Sequence, residues 1–164
     1  MPRAMPISRR ESHMKATDML KKQHREVAAL FKTALGEEQA ANRVKALQQI
    51  TQKLEVHTTI EEEIFYPAFR DSADTKKVDD MTLEAYEEHH VVKLLLAEIP
   101  GIDPDDERFE AKVTVLKEII EHHVEEEQDE MFPMAEKKLG AEALTELAAR
   151  MQRRMSELEG KAKR

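Results

Sequence analysis

Four stretches of this chain carry apolar residues at helical spacing, and each stretch has a histidine where another apolar residue would stand. In the first stretch, for example, His24 lies between Leu20 and Val27, in steps of four and three residues. Such steps keep side chains on one face of an α-helix, so each histidine is predicted to face the core of a helical bundle. Because buried polar groups need partners, four imidazoles in one core strongly restrict the fold. The four histidines are His24, His57, His89 and His123.

Two glutamates continue the second and the fourth of these stripes. Glu61 follows His57, and Glu127 follows His123, by four residues in each case. This spacing places both side chains of a pair on one helix face, where they can share a metal ion. Because an unpaired buried carboxylate is costly, the pattern favours a metal cluster as the partner. The predicted metal ligands are His24, His57, Glu61, His89, His123 and Glu127.

The chain also repeats its own pattern of helices. The second stretch recurs as the fourth, with His57 matched by His123, and the first recurs as the third, with His24 matched by His89. Two helical hairpins of one design are therefore predicted to face each other. The two histidines of each hairpin would bind one metal ion, and the two glutamates would bridge the ions. Imidazole with carboxylate suits iron, manganese or zinc, and open positions on such a site favour iron.

Two of the four histidines have a histidine neighbour, and helix geometry lets only one of each pair face inward. The pairs are His89-His90 and His122-His123. The repeat aligns His89 and His123 with the histidines of the first hairpin. An alignment based on His90 or His122 instead breaks the match of apolar residues. The sequence therefore favours His89 and His123 as core residues, and it favours His90 and His122 as flanking or surface residues.

The remaining pattern favours an all-α protein. Charged residues make up 37% of the chain and only four residues are glycine, a composition that suits long amphipathic helices. Pro67 marks the predicted end of the second helix, and Asp79 or Asp80 the start of the third. Pro104 takes the first position of the fourth helix. We therefore predict an antiparallel up-down four-helix bundle with an additional C-terminal helix. The predicted segments are a flexible N-terminal arm at 1–15, the bundle at 16–139 and a C-terminal amphipathic helix at 140–164, packed on the bundle with a frayed end.

Composition excludes several classes of function. The chain has no cysteine, so disulfides, thiol catalysis and cysteine-held metal clusters are excluded. Its formal net charge is −8, and clustered basic residues are missing, so nucleic acid is not an expected partner. No stretch reaches the roughly 20 apolar residues that span a bilayer, so a membrane is not expected either. We expect a cytoplasmic protein that is a monomer or a weak homo-oligomer.

Four segments resemble the successive metal-binding helices of hemerythrin-like (HHE cation-binding) domains. They are KKQHREV, HTTIEEEIFYP, EEHHVVKLLL and EHHVEEEQDEMFP, and the resemblance covers about residues 16–158. It implies a four-helix bundle with a non-haem di-iron centre that has the same six ligands. Proteins of this family bind dioxygen, sense oxygen or iron, or handle peroxide and nitric oxide. The resemblance thus implies a small diatomic molecule or a peroxide as the ligand of the centre.

One departure from the family pattern affects the expected function. Oxygen-carrying hemerythrins have a further histidine one turn after the first on the third helix, and the matching residue here is Lys93. Three hypotheses follow. The first is an enzyme, such as a di-iron oxidoreductase that decomposes peroxide, and Lys93 favours it. The second is a protein that binds or senses dioxygen or iron. The third is a bundle with a purely structural metal site.

Three residues near the predicted ligands have less defined roles. Tyr66 is expected to pack at the end of the bundle, with a role as a radical or in contact with the substrate as the alternative. Tyr86, one turn before His89, is expected to pack, with a hydrogen bond near the metals as the alternative. Glu62 is expected outside the bundle, with a supporting contact to a ligand as the alternative.

Overall fold

Helices are the only regular elements in the part of the chain that the computed structural model describes, residues 14–162. The predicted all-α bundle with an additional C-terminal helix is confirmed. The predicted arm lies outside the described residues, apart from its last two. The elements are α1 (Ala16–Gly36), α2 (Ala40–Ile60), a π-helical turn (Glu61–Phe65), α3 (Tyr66–Asp71), α4 (Lys76–Glu98), a 3-10 turn (Ile99–Gly101), α5 (Glu107–Glu126), a second π-helical turn (Glu127–Met131) and α6 (Phe132–Ala162).

The starts of α4 and α5 differ from those predicted, because the capping residues differ. The hydroxyl of Thr75 accepts a hydrogen bond from the backbone N–H of Val78 at 3.3 Å, so α4 begins before the predicted Asp79. The carboxylate of Asp106 accepts a hydrogen bond from the N–H of Arg108 at 2.9 Å, so α5 begins after Pro104. Both caps satisfy N–H groups that the first turn of a helix leaves free.

Two π-helical turns occupy equivalent positions in the two hairpins, and each begins at a predicted ligand glutamate. The N–H of Tyr66 donates to the carbonyl of Glu61, five residues earlier, and Phe132 donates to Glu127 in the same way. One residue further on stand Pro67 and Pro133, which have no N–H to continue an α-helical ladder. The prediction that the second helix ends at Pro67 was wrong, because the helical path continues through α3.

The chain direction changes within α6 at Gly140. This residue has φ 84° and ψ 166°, a conformation that is essentially restricted to glycine. The segment after Gly140 packs on α1 and α2 through a buried stripe that includes Leu144, Leu147 and Met151. In the described part of the chain, no helix combines the length and the apolar character needed to cross a membrane.

The apolar core consists of two clusters with a polar layer between them. One, here called the α6 cluster, contains residues such as Phe65, Phe69 and Leu144. The other, here called the hairpin-loop cluster, contains residues such as Phe31 and Leu116, towards the α1–α2 and α4–α5 connections. Along each of the four bundle helices, the predicted ligand histidine lies between residues of the two clusters.

Candidate metal centre

All six predicted ligand residues are buried, and the structure brings them together in the polar layer. The six residues form two groups of possible ligand atoms, and within each group the atoms lie within 4.8 Å of one another. The first group contains the two histidines of the first hairpin, and the second contains those of the second hairpin. The members are His24, His57, Glu61 and Glu127 in the first group, and Glu61, His89 and His123 in the second.

The two carboxylates lie between the two pairs of histidines. Oε1 of Glu127 is 3.3 Å from Nε2 of His24 and 3.1 Å from Nε2 of His123, so it contacts both hairpins. Glu61 contacts Nε2 of His57 and belongs to both groups of ligand atoms. This geometry fits the predicted arrangement, in which each hairpin supplies a pair of histidines and the glutamates are shared.

Several of the possible ligand atoms in this layer lack hydrogen-bond partners within the described part of the protein. In residues 14–162, four buried side-chain nitrogen or oxygen atoms make no hydrogen bond of suitable geometry, and all four belong to this layer. They are Nε2 of His24, both carboxylate oxygens of Glu61 and Oε1 of Glu127. Unsatisfied buried polar atoms are costly, so this convergence fits a cation that the atoms surround.

Each histidine is oriented by a hydrogen bond at its other ring nitrogen. Nδ1 of His57 pairs with Gln23 at 2.6 Å, and Nδ1 of His24 pairs with Gln128 at 2.9 Å. In the second hairpin, Nδ1 of His123 pairs with Glu88 at 3.0 Å, and Nδ1 of His89 pairs with Glu62 at 3.2 Å. Such contacts turn Nε2 towards the centre and are typical of metal-binding histidines. Of these four partners, the sequence indicated Glu62 alone, as an alternative.

Tyr66 lies in the centre, although the sequence favoured packing at the end of the bundle. Its hydroxyl group donates a hydrogen bond to Oε2 of Glu127 at 3.0 Å. It also lies 3.1 Å from Nε2 of His89 and 3.3 Å from Nε2 of His123. Tyr86 instead donates to the backbone carbonyl of Glu62 at 3.0 Å. The phenol of Tyr66 is therefore a further oxygen group within the second set of ligands.

Proton affinities in this layer reflect charges held close together. Burial opposes the charged form of His123, but the carboxylates of Glu127, Glu88 and Glu61 together outweigh burial and raise the pKa of His123 well above its usual value of 6.5. Burial also opposes the charged form of His24, and the neighbouring carboxylates again raise the pKa. Burial likewise opposes ionisation of Glu127, yet His123 and the neighbouring groups lower its pKa well below 4.5. Burial, and then the carboxylates, raise the pKa of Tyr66. Neutral imidazole ligands therefore require proton release when a metal binds.

The residues that the repeat placed outside the core do lie outside it. His90 is exposed, and the side chain of His122 is 64% exposed and pairs with Glu126. Lys93, at the position of the fifth histidine of the oxygen carriers, is half exposed. Its ammonium group donates to both oxygens of Glu62 at 2.8 and 2.9 Å. Lys93 therefore offers the centre no ligand atom.

Three cavities border the ligand residues; the largest of them, of about 230 Å³, touches only His24 among the ligands, and the other two are smaller. One, of about 20 Å³, touches all four histidines and is otherwise lined mainly by apolar residues such as Val27, Leu54, Val92 and Ile120. The other, of about 80 Å³, borders His123 and Glu127 and is lined by four further glutamates: Glu84, Glu88, Glu126 and Glu130. Since one water molecule needs roughly 10–15 Å³, the inner cavity has room for a ligand of one or two heavy atoms.

Comparisons with known proteins agree with this geometry. The sequence profile of the Hemerythrin HHE cation binding domain matches residues 15–135. The structure resembles the crystal structure of a hemerythrin HHE cation-binding domain-containing protein from Mycobacterium kansasii. The TM-score is 0.76 at 25% identity, covering 91% of this chain and 90% of the other. A protein named DNA nickase from Nostoc sp. is 28% identical over 153 residues, which are 89% of this chain but 40% of the relative. The chain therefore spans less than half the length of that curated relative.

Proposed function

This chain belongs to the hemerythrin HHE cation-binding domain family, and from that premise we propose that its centre holds two iron ions and reacts with small oxidants. The observation that carries the proposal is the pair of ligand groups that share Glu61. In the proposed assignment, each hairpin holds one ion through its two histidines, and Glu61 and Glu127 serve both ions. Manganese and zinc are the alternative metals, because imidazole and carboxylate suit them as well.

The dimensions of the inner cavity favour a small substrate such as hydrogen peroxide, dioxygen or nitric oxide. A space of about 20 Å³ against all four histidines favours a molecule of one or two heavy atoms over an organic substrate. Its apolar side, formed by residues such as Val27 and Ile120, limits the entry of bulk water. Iron in the site supplies redox chemistry and open coordination positions. The phenol of Tyr66, which donates to Glu127, is a proton donor within the same layer.

The contacts of Lys93 favour an enzyme over an oxygen carrier. Because its ammonium group pairs with Glu62, each hairpin supplies only two imidazoles to the centre. A centre held by these residues would leave open positions on both ions, a feature that suits turnover of peroxide more than protected storage of oxygen. A non-enzymatic protein that binds or senses dioxygen or iron is the second candidate, since it uses the same ligands.

The test combines metal analysis with peroxide consumption and visible spectroscopy. We expect the protein loaded with ferrous iron under anaerobic conditions to retain two ions per chain and to consume hydrogen peroxide. We also expect that mixing with air-saturated buffer in a stopped-flow instrument gives no long-lived visible band. The zinc-loaded protein is the matched control and should leave peroxide intact. A stable band that disappears when oxygen is removed would contradict the proposal of an enzyme and favour an oxygen carrier. Lys93→His should lengthen the lifetime of any such band.

The name of the Nostoc relative mentions DNA, but we propose no nucleic-acid partner for this chain. Acidic residues outnumber basic residues by 34 to 26, and phosphate binding needs clustered positive charge. The match also leaves most of that relative uncovered. We expect no nicking of a supercoiled plasmid by the metal-loaded protein, and nicking that disappears in His57→Ala would contradict this proposal.

A further inference from the structure

The twofold repeat preserves the positions that orient the histidines but changes their chemistry. Gln23, which pairs with Nδ1 of His57, corresponds to Glu88, which pairs with Nδ1 of His123. Each of the two precedes a predicted ligand directly, because His24 follows Gln23 and His89 follows Glu88. The two contacts are thus related by the repeat, but the partner is an amide in one hairpin and a carboxylate in the other.

The second pair of contacts also has an amide in the first hairpin and a carboxylate in the second. Gln128 pairs with Nδ1 of His24, and Glu62 pairs with Nδ1 of His89. These two partners also correspond in the repeat, since Glu62 directly follows Glu61 and Gln128 directly follows Glu127. The histidines of the first hairpin are therefore both oriented by amides, and those of the second hairpin are both oriented by carboxylates.

A third difference lies on the side of the ligand atoms. Tyr66 and Phe132 correspond in the repeat, each directly after a π-helical turn. The hydroxyl of Tyr66 lies 3.1 Å from Nε2 of His89. The ring of Phe132 instead stacks on the ring of His24, with 5.8 Å between the centroids and 7° between the planes. An oxygen group thus faces one half of the centre, where a hydrocarbon ring faces the other.

These differences act together on how strongly each half attracts a cation. A carboxylate that accepts the Nδ1 hydrogen makes the imidazole a stronger donor at Nε2 than an amide does, and it adds negative charge near the ion. Glu62 shares its charge with Lys93, whereas in residues 14–162 the one group that forms a salt bridge with Glu88 is His123. Glu88 is therefore the carboxylate with the larger expected effect.

We infer that the two metal positions are inequivalent, and that the position at His89 and His123 binds its ion more tightly and fills first. This inference rests on the proposed two-metal centre. Glu88 and Glu62 act as positioning residues, because they contact histidines rather than the ion. The order of filling follows from this chain's own contacts: carboxylates at Nδ1 and the hydroxyl of Tyr66 in the second hairpin, against amides at Nδ1 and the ring of Phe132 in the first.

The experiment is a titration of the metal-free protein with zinc in competition with a chromophoric chelator, which resolves two dissociation constants without redox chemistry. We expect two separate steps in the unmodified protein. Glu88→Gln should weaken the tighter step by about 10- to 100-fold and leave the weaker step nearly unchanged. Gln23→Glu, the matched change in the other hairpin, should tighten the weaker step. Exchanging both residues should bring the two constants together or reverse their order.

Further variants assign the steps to the halves of the centre. His123→Ala should abolish the tighter step, and His57→Ala the weaker one. Because both exchanges between glutamate and glutamine preserve side-chain shape, circular dichroism of the metal-free variants should match that of the unmodified protein. Two equal constants in the unmodified protein, or equal effects of Glu88→Gln on both steps, would overturn the inference while leaving a two-metal centre intact. Binding of one ion or none would instead overturn the proposed centre itself.

Discussion

At the scale of single residues, the contacts at Nδ1 determine which atoms face the centre. Because the Nδ1 atoms of His57 and His123 are engaged by Gln23 and Glu88, their Nε2 atoms are directed at the carboxylates. A ring held at one nitrogen binds a metal with less loss of side-chain freedom than a mobile ring. The same geometry separates residues that look equivalent in the sequence, such as the neighbours His122 and His123.

Metal content of alanine variants tests this assignment. We expect His57→Ala and His123→Ala to lose metal substantially, because each removes a buried donor atom. His90→Ala and His122→Ala, the neighbouring exposed controls, should retain nearly all of it. The measurement is the ratio of metal to protein by elemental analysis after gel filtration. A greater loss from His90→Ala than from His89→Ala would show that the assignment of inward-facing histidines is wrong.

The pKa values predict how the metal-free protein responds to pH. The raised pKa of His123 and His24 means that their contribution to stability is complete below about pH 6.5 and is lost as pH rises through the raised values. The lowered pKa of Glu127 means that its contribution is present above about pH 4.5 and is lost as pH falls through the lowered value. The melting temperature of the metal-free protein should therefore fall between mildly acidic and alkaline pH.

Metal binding should respond to pH in the opposite direction, because neutral imidazole is the ligand. The difference in melting temperature between metal-loaded and chelator-treated protein should widen from about pH 6 to about pH 8. Differential scanning calorimetry at matched ionic strength measures it. A difference that stays constant, or a melting curve that ignores the chelator, would argue against imidazole ligands.

At the scale of elements, the π-helical turns explain what the sequence could predict about the site. Helical spacing brought His24 and Glu61 onto core stripes, because those residues lie on regular α-helix or at its end. Tyr66 escaped the same reasoning, since α-helical spacing turns a residue five positions after Glu61 away from its face, and the π-helical turn brings it back. The only sign of these turns in the sequence was that Pro67 and Pro133 occupy equivalent positions in the repeat. Whether the six residues bind metal stays a prediction.

The partners of Nδ1 were harder to predict for a different reason. Gln23, Gln128 and Glu88 lie beside the core stripes rather than on them, and they reach histidines on other helices. Stripe spacing fixes the face on which a residue lies, but it does not fix which neighbouring helix a long side chain reaches. That information depends on the packing of helices, which the sequence pattern leaves open.

The break in α6 gives a prediction about one backbone position. Gly140→Ala should destabilise the protein by about 1–3 kcal/mol, because the positive φ disfavours any residue with a Cβ atom. The added atom would meet no other atom within 4 Å, so a steric clash is not the cause. Gly36→Ala is the matched control: it has the same open surroundings without the positive φ, and it should be neutral or slightly stabilising. Urea denaturation of both variants, at equal metal content, measures the change in the free energy of unfolding. Equal changes in the two variants would contradict the argument.

At the scale of the whole molecule, the polar layer lies across the middle of the bundle, and every bundle helix crosses it. Helices α1, α2, α4 and α5 supply residues to both apolar clusters, and α2 and α5 do so together with the π-helical turns that follow them. The polar layer therefore lies between the two clusters along every bundle helix. The α6 cluster is completed by the segment after Gly140, whereas the hairpin-loop cluster is built from the four bundle helices and their connections alone.

This division has a consequence for how the protein unfolds. With ions in the layer, the two clusters are joined by bonds to side chains from all four helices, and the bundle should lose its structure in a single cooperative transition. Without ions, carboxylate and imidazole atoms that lack hydrogen-bond partners separate the two apolar clusters, and we expect each cluster to open on its own. Amide hydrogen exchange of the metal-free protein should then show different protection on the two sides of His24 in α1 and of His123 in α5. The metal content would therefore set whether the molecule behaves as one folding unit or two.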